Sequence, residues 1–143
     1  MSHRILLAAV LVVAAFGAFA DEQPVQLKAD LDGAHEVPPT QTSGKGKLEG
    51  ALNRTTKELN YTVTYQGLSG PATAAHFHGP ADPTKNAGVV VPLKAPLDSP
   101  VKGSAKLDDK QIGELMANNW YVNVHTAQNP NGEIRGQVLH AGP

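Results

Sequence analysis

Two histidines one residue apart, His76 and His78 in Ala74-Ala75-His76-Phe77-His78-Gly79-Pro80, carry the spacing in this chain that most directly suggests chemistry. Alternate side chains of an extended strand leave the same face, so the two imidazoles project side by side as a chelating pair. A third histidine, His125, closes the strand-like run Trp120-Tyr121-Val122-Asn123-Val124-His125. No cysteine is present to compete for a metal. Three converging imidazoles suit Cu(II) or Zn(II), and copper lies higher in the affinity order. Copper is therefore the expected cofactor, with zinc as the alternative. An open position at such a site permits redox chemistry, whereas a closed four-histidine set is structural or a store.

His78 stands just before Gly79-Pro80, and His125 just before the polar stretch Thr126 to Gly132. Both therefore sit at strand ends, where sandwich folds carry function. In the run from Trp120 to His125, the face bearing Trp120, Val122 and Val124 is the expected core. The face bearing Tyr121, Asn123 and His125 is left for a polar site. Glu133 and Arg135 share a face across a hairpin from His125, which leaves two readings open. They form a surface ion pair of little energetic weight, or Glu133 orients a ligand imidazole while Arg135 guides an anion to the metal.

Strands must position these residues, and the sequence predicts about eight. Apolar and polar residues alternate over Val25–Leu31, over Gly46–Leu52 and most clearly over Leu59–Tyr65. Further strands are expected at Thr73–His78, Gly88–Leu93, Val101–Leu107, Asn119–His125 and Glu133–His140. Only Asp108–Asn118 has helical spacing, with Ile112, Leu115 and Met116 on one side and Asp108 and Gln111 placed for a capping box. Asn129-Pro130-Asn131-Gly132 is a turn signal between the last two strands. The 14 glycines and 11 prolines suit short strands and tight loops. The expectation is an all-β, antiparallel Greek-key β-sandwich with one short helix.

The chain has 143 residues, and its start reads as a targeting segment rather than as fold. A short basic beginning, the apolar run Ile5 to Phe16 and the small-x-small pattern Ala18-Phe19-Ala20 predict a signal peptide over residues 1–20. The apolar run is short of the ~20 residues that span a bilayer, so a retained anchor is only the alternative. Residues 21–143 then form one exported domain, periplasmic or secreted, without disulfides. A net charge of −1 gives no footprint for nucleic acid or an anionic membrane surface.

Three segments together resemble the CHRD domain, first named from chordin and found alone in exported bacterial proteins. They are Leu31-Asp-Gly-Ala-His-Glu-Val-Pro-Pro39, Ala74-Ala-His-Phe-His-Gly-Pro80 and the long run from Tyr121 to Gln137. The resemblance implies an immunoglobulin-like or superoxide-dismutase-like sandwich. The His-x-His strand with a distant histidine is also similar to the copper pattern of copper/zinc superoxide dismutases. Those enzymes' zinc loop and disulfide have no counterpart here, so a dismutase activity would be copper-only. Where family members commonly carry an uncharged amide, this chain has His35, a candidate fourth ligand.

The leading expectation is thus an exported copper protein that disproportionates superoxide, an enzyme with a small anion as substrate. His76, His78, His125 and less directly His35 would bind the metal, Glu133 would support them, and Arg135 would guide the anion. A non-catalytic extracellular binding module and a periplasmic copper store or carrier are the competing readings.

Overall fold

The computed structural model describes residues 22–141, and the expected signal peptide lies outside them. Nine strands make one continuous antiparallel sheet: β1 (Val25–Asp32), β2 (Lys45–Asn53), β3 (Glu58–Gln66), β4 (Ala72–His78), β5 (Val89–Pro92), β6 (Val101–Lys106), β7 (Tyr121–Thr126), β8 (Ile134–Gln137) and β9 (Leu139–His140). Their order is β5-β4-β7-β8-β1-β2-β3-β6, with β9 added on β1. The sheet curls until it is nearly closed into a barrel or sandwich. Its two edge strands, β5 and β6, line a common cavity of about 490 Å³.

The all-β architecture therefore matches the sequence, as does the helix α1 (Asp109–Met116). Asp108 accepts from the Gln111 backbone N–H at 2.8 Å, and the Gln111 side chain accepts from the Asp108 N–H at 3.0 Å, closing the capping box. The last predicted strand divides into β8 and β9, because the N–H of Val138 leaves the ladder to bond Trp120 O at 2.9 Å. A short 3-10 turn, Gly33–His35, occupies part of the predicted loop.

Period-two patterning builds the core. Leu27, Ala29 and Leu31 from β1, Leu48 and Leu52 from β2, and Leu59, Tyr61 and Val63 from β3 are all buried on the inner face. Opposite them lie Ala75 and Phe77 of β4 and Val122 and Val124 of β7, with Trp120 closing one end. Burying a side chain of this kind contributes about 1.5–3 kcal/mol each, which makes this alternation the principal source of fold stability.

One expectation about faces needs correction. The Tyr121-Asn123-His125 side of β7 is not an open polar surface, since Tyr121 and Asn123 are each only 3% exposed. The loop from Gly79 to Gly88 folds back over this side. Ala81 N–H bonds Asn119 O at 2.8 Å, and Ala87 N–H donates to the Tyr121 hydroxyl at 3.1 Å. Both faces of β7 are thus covered, one by the apolar core and one by a polar layer.

The two halves of the sheet join where β8 meets β1 at Asp32 and Arg135. Approach there is so close that a Cβ on Gly136 would lie 2.3 Å from the backbone oxygen of Asp30. Backbone cannot yield as a flexible side chain can, so Gly136→Ala is expected to destabilise the domain by about 2–3 kcal/mol. Urea unfolding should show a lowered midpoint at unchanged slope.

Candidate metal centre

β4 and β7 are antiparallel neighbours in a register that pairs His78 with Tyr121, His76 with Asn123 and Ala74 with His125. This pairing brings the three histidines to one patch on the outer face. One ring nitrogen from each of His76, His78 and His125 lies within 4.8 Å of the other two. His78 is buried, while His76 and His125 are half-buried. The sequence-predicted trio is therefore brought together, with two of its rings reaching solvent.

The hydrogen bonds assign protons to two of these rings. His78 Nδ1 lies 2.9 Å from Ala87 O, and His125 Nδ1 lies 2.9 Å from Pro130 O. A carbonyl only accepts, so both rings must carry their hydrogen on Nδ1, leaving Nε2 as a bare lone pair. Both bare nitrogens face one further acceptor, the Asn123 Oδ1, at 3.0 Å from His78 and 2.9 Å from His125. His76 Nδ1, 3.1 Å from His125 Nε2, can share one proton with that ring. Three lone pairs (two imidazole nitrogens and an amide oxygen) still converge. With the amide in this orientation, a cation at their centre satisfies all three together.

Burial opposes a proton on two of these rings. Burial holds the His78 ring below the ordinary imidazole range, against the opposing effect of its bonds to Ala87 and Asn123. Burial, and then the neighbouring His125 and His78, do the same for His76. The rings are kept neutral, which is the form that binds metal. The donor set of imidazole nitrogens without thiolate fits copper or zinc.

Behind His78 lies a stack. The Tyr121 ring is parallel to the His78 ring, 4° between planes and 4.7 Å between centroids, and the Arg135 guanidinium covers its other face at 3.4 Å. Arg135 is 1% exposed. Its Nη1 donates to Asn86 Oδ1 at 3.0 Å and its Nη2 to Lys85 O at 2.7 Å. It clamps the loop that covers β7 and does not reach solvent as an exposed anion guide. Its positive charge also disfavours protonation of His78.

Two other expected residues lie elsewhere. Glu133 is fully buried, but its carboxylate accepts from Thr42 Oγ1 at 2.9 Å and from the Ser69 backbone N–H at 2.9 Å. It pins two loops together and does not support a ligand imidazole. Nor is it paired with Arg135, because the two side chains bond to different loops. His35 ends the 3-10 turn with its side chain 56% exposed, 2.8 Å from Asp32 Oδ1, and is not part of the three-histidine group. This contact with Asp32, the N-cap of its own turn, holds the ring where it is.

Sequence reasoning placed Asn123 on the polar face without giving it a role, and it missed Glu36. Asn123 had a usable signal, since it lies two residues before His125 and so on the same strand face. Glu36 had none, because only the folding of its loop against the turn at Gly132 brings it to the centre. That carboxyl is 5% exposed, and its Oε1 is buried without a hydrogen-bond partner. Gly132 has φ +121°, and a Cβ there would sit 2.4 Å from Glu36 Oε1 and 2.7 Å from Asn123 Nδ2. Glycine is what allows the turn to close over both groups.

Burial raises the Glu36 pKa from 4.5 to about 7, with Arg135 and Asn123 acting in the opposite direction. In the native state Glu36 thus binds a proton that the unfolded chain releases at lower pH. Its favourable contribution is present below about 4.5 and lost as pH rises through about 7. Glu36→Gln should therefore raise the thermal midpoint of the metal-free protein at about pH 8, with the advantage closing towards about pH 5. Circular dichroism melts of both proteins across this range test it, since the histidine contributions are common to the two.

Among the described residues, no helix is long and apolar enough to cross a membrane. A family model described as the CHRD domain matches residues 27–138. Chordin of Xenopus laevis is 33% identical over 122 residues, a match that covers 79% of this chain and 13% of chordin. No solved structure matches the chain.

Proposed function

The chain belongs to the CHRD-domain family, and from that premise we propose that it is an exported copper protein that disproportionates superoxide. His76, His78 and His125 hold the ion. The observation that carries this reading is the convergence of one ring nitrogen from each of His76, His78 and His125 within 4.8 Å of the others, with Asn123 Oδ1 3.0 Å from His78 Nε2 and 2.9 Å from His125 Nε2. Copper bound there would supply the one-electron couple that superoxide disproportionation to dioxygen and, with two protons, hydrogen peroxide requires.

The chain's own residues set the conditions for that chemistry. Ala87 O and Pro130 O fix the tautomers of His78 and His125, so that Nε2 of each is available without rearrangement. Tyr121 and Arg135 hold the His78 ring from behind. The partial exposure of His76 and His125 leaves a solvent-facing side that admits a small anion without a deep pocket. Zinc would occupy the same nitrogens but supplies no redox couple.

Similarity to part of chordin favours a second reading, a non-catalytic extracellular module in which the histidines bind metal for structure or storage. Metal analysis of the exported protein, purified without added metal or chelator, separates the two. The proposed function expects stoichiometric copper, a nitrogen-coordinated Cu(II) resonance signal and catalytic removal of superoxide. His78→Ala is expected to weaken copper binding beyond the roughly 10–100-fold that a supporting residue costs. Unchanged copper affinity in that variant would exclude the site, and tight copper without turnover would favour the store or module.

A further inference from the structure

The Asn123 side chain faces two ways. Its Oδ1 is directed at the bare nitrogens of His78 and His125, and its Nδ2 lies on the Glu36 side, close to where a Cβ on Gly132 would be. Turning the amide over would satisfy the imidazoles without any metal, because Nδ2 would donate a hydrogen to each bare Nε2. What opposes this is Glu36. Its buried Oε1 has no hydrogen-bond partner, and an overturned amide would bring Oδ1, another acceptor, to that side.

We propose that Glu36 is a positioning residue for the metal centre, acting through Asn123: its carboxylate holds the amide so that three acceptors confront one another until a cation enters. The inference rests on the copper reading above only for its affinity measurement. The arrangement withholds the amide hydrogens from the imidazoles, so the metal-free centre is left short of donors. A metal ion relieves that shortage, and binding is stronger for it. The Gly132 turn and the Glu36-Val37-Pro38-Pro39 loop meet over this contact, which gives two separate loops a shared purpose at the centre.

At about pH 8, where the carboxyl is ionised and only accepts, Glu36→Gln replaces that acceptor with a side chain that can also donate. Asn123 is then free to turn over and donate to the imidazoles, and copper affinity should fall about 10-fold or more. A merely structural role predicts something else: altered stability with copper affinity intact. The double variant Glu36→Gln/Asn123→Asp restores a donor facing an acceptor and keeps an oxygen directed at the imidazoles. Its copper affinity should recover to the wild-type level, the non-additivity expected of groups in contact.

The amide's orientation is also readable without metal. In isotope-labelled, metal-free protein at about pH 8, where Glu36 is ionised, the wild type should show no nitrogen–nitrogen coupling across a hydrogen bond from Asn123 Nδ2 to His78 or His125. Glu36→Gln should show one. Such a coupling in the wild type overturns the proposal, even if the variant fails to fold. So does equal copper affinity in wild type and Glu36→Gln, or a double variant no better than the single one. Absence of copper binding by the wild type would instead overturn the copper reading, leaving the amide orientation to be decided by the coupling alone.

Discussion

The pairing of β4 with β7 is the interaction on which the rest of the structure depends. These two strands deliver Ala75, Phe77, Val122 and Val124 to the apolar core on one side and all three clustered histidines to the other. A shift of one residue would exchange the faces of one strand, sending imidazoles into the core and aromatic surface outward. The hydrophobic effect that sets the core register therefore also sets the geometry of the histidine cluster, and no separate device is needed to align the histidine-bearing strands.

A second, polar layer then covers the histidine side. Sandwich faces turned away from the core are ordinarily solvated, but here Tyr121, Asn123, Glu133 and Arg135 are all buried there. Each is committed to a loop or to the centre. Arg135 holds the 82–86 segment, Glu133 holds Thr42 and Ser69, and Asn123 meets two imidazoles. Buried polar groups without partners are expensive, so a layer of this kind tolerates few arrangements. This gives a physical reason for long polar motifs in a loop region that would otherwise tolerate change. The same layer keeps His76 and His78 neutral, coupling the burial of the loops to the metal-binding form of the rings.

Several parts of this were legible from residue types and spacing. Alternation located β1, β2 and β3, because a half-buried strand must alternate, while the later strands were read from short runs between turns and the last of them divides in two. The capping pair Asp108 and Gln111 located the helix, because those bonds are local. The trio of His76, His78 and His125 was also legible, since two of its members share a strand face and the third ends a strand of clear polarity. The roles expected of His35, Glu133 and Arg135 were not obtained, and the reasons differ. His35 is held by its neighbour Asp32, three residues away, and so never leaves its turn. Glu133 and Arg135 lie on the strand face anticipated for them, but their partners come from loops 50 to 91 residues away along the chain.

The sequence alone thus determined what depends on local chemistry and periodicity: strands, cap, exclusion of thiolate ligands, and the imidazole pair on β4. Tertiary structure decided which loops fold over the outer face, and with them the identity of every supporting group. Ala87 and Pro130 contribute backbone carbonyls, which no side-chain pattern reveals. Glu36 reaches Asn123 only because the Gly132 turn closes over it. Long-range loop packing leaves no periodic trace in a chain, and for that reason the three histidines were readable while the groups that orient them were not.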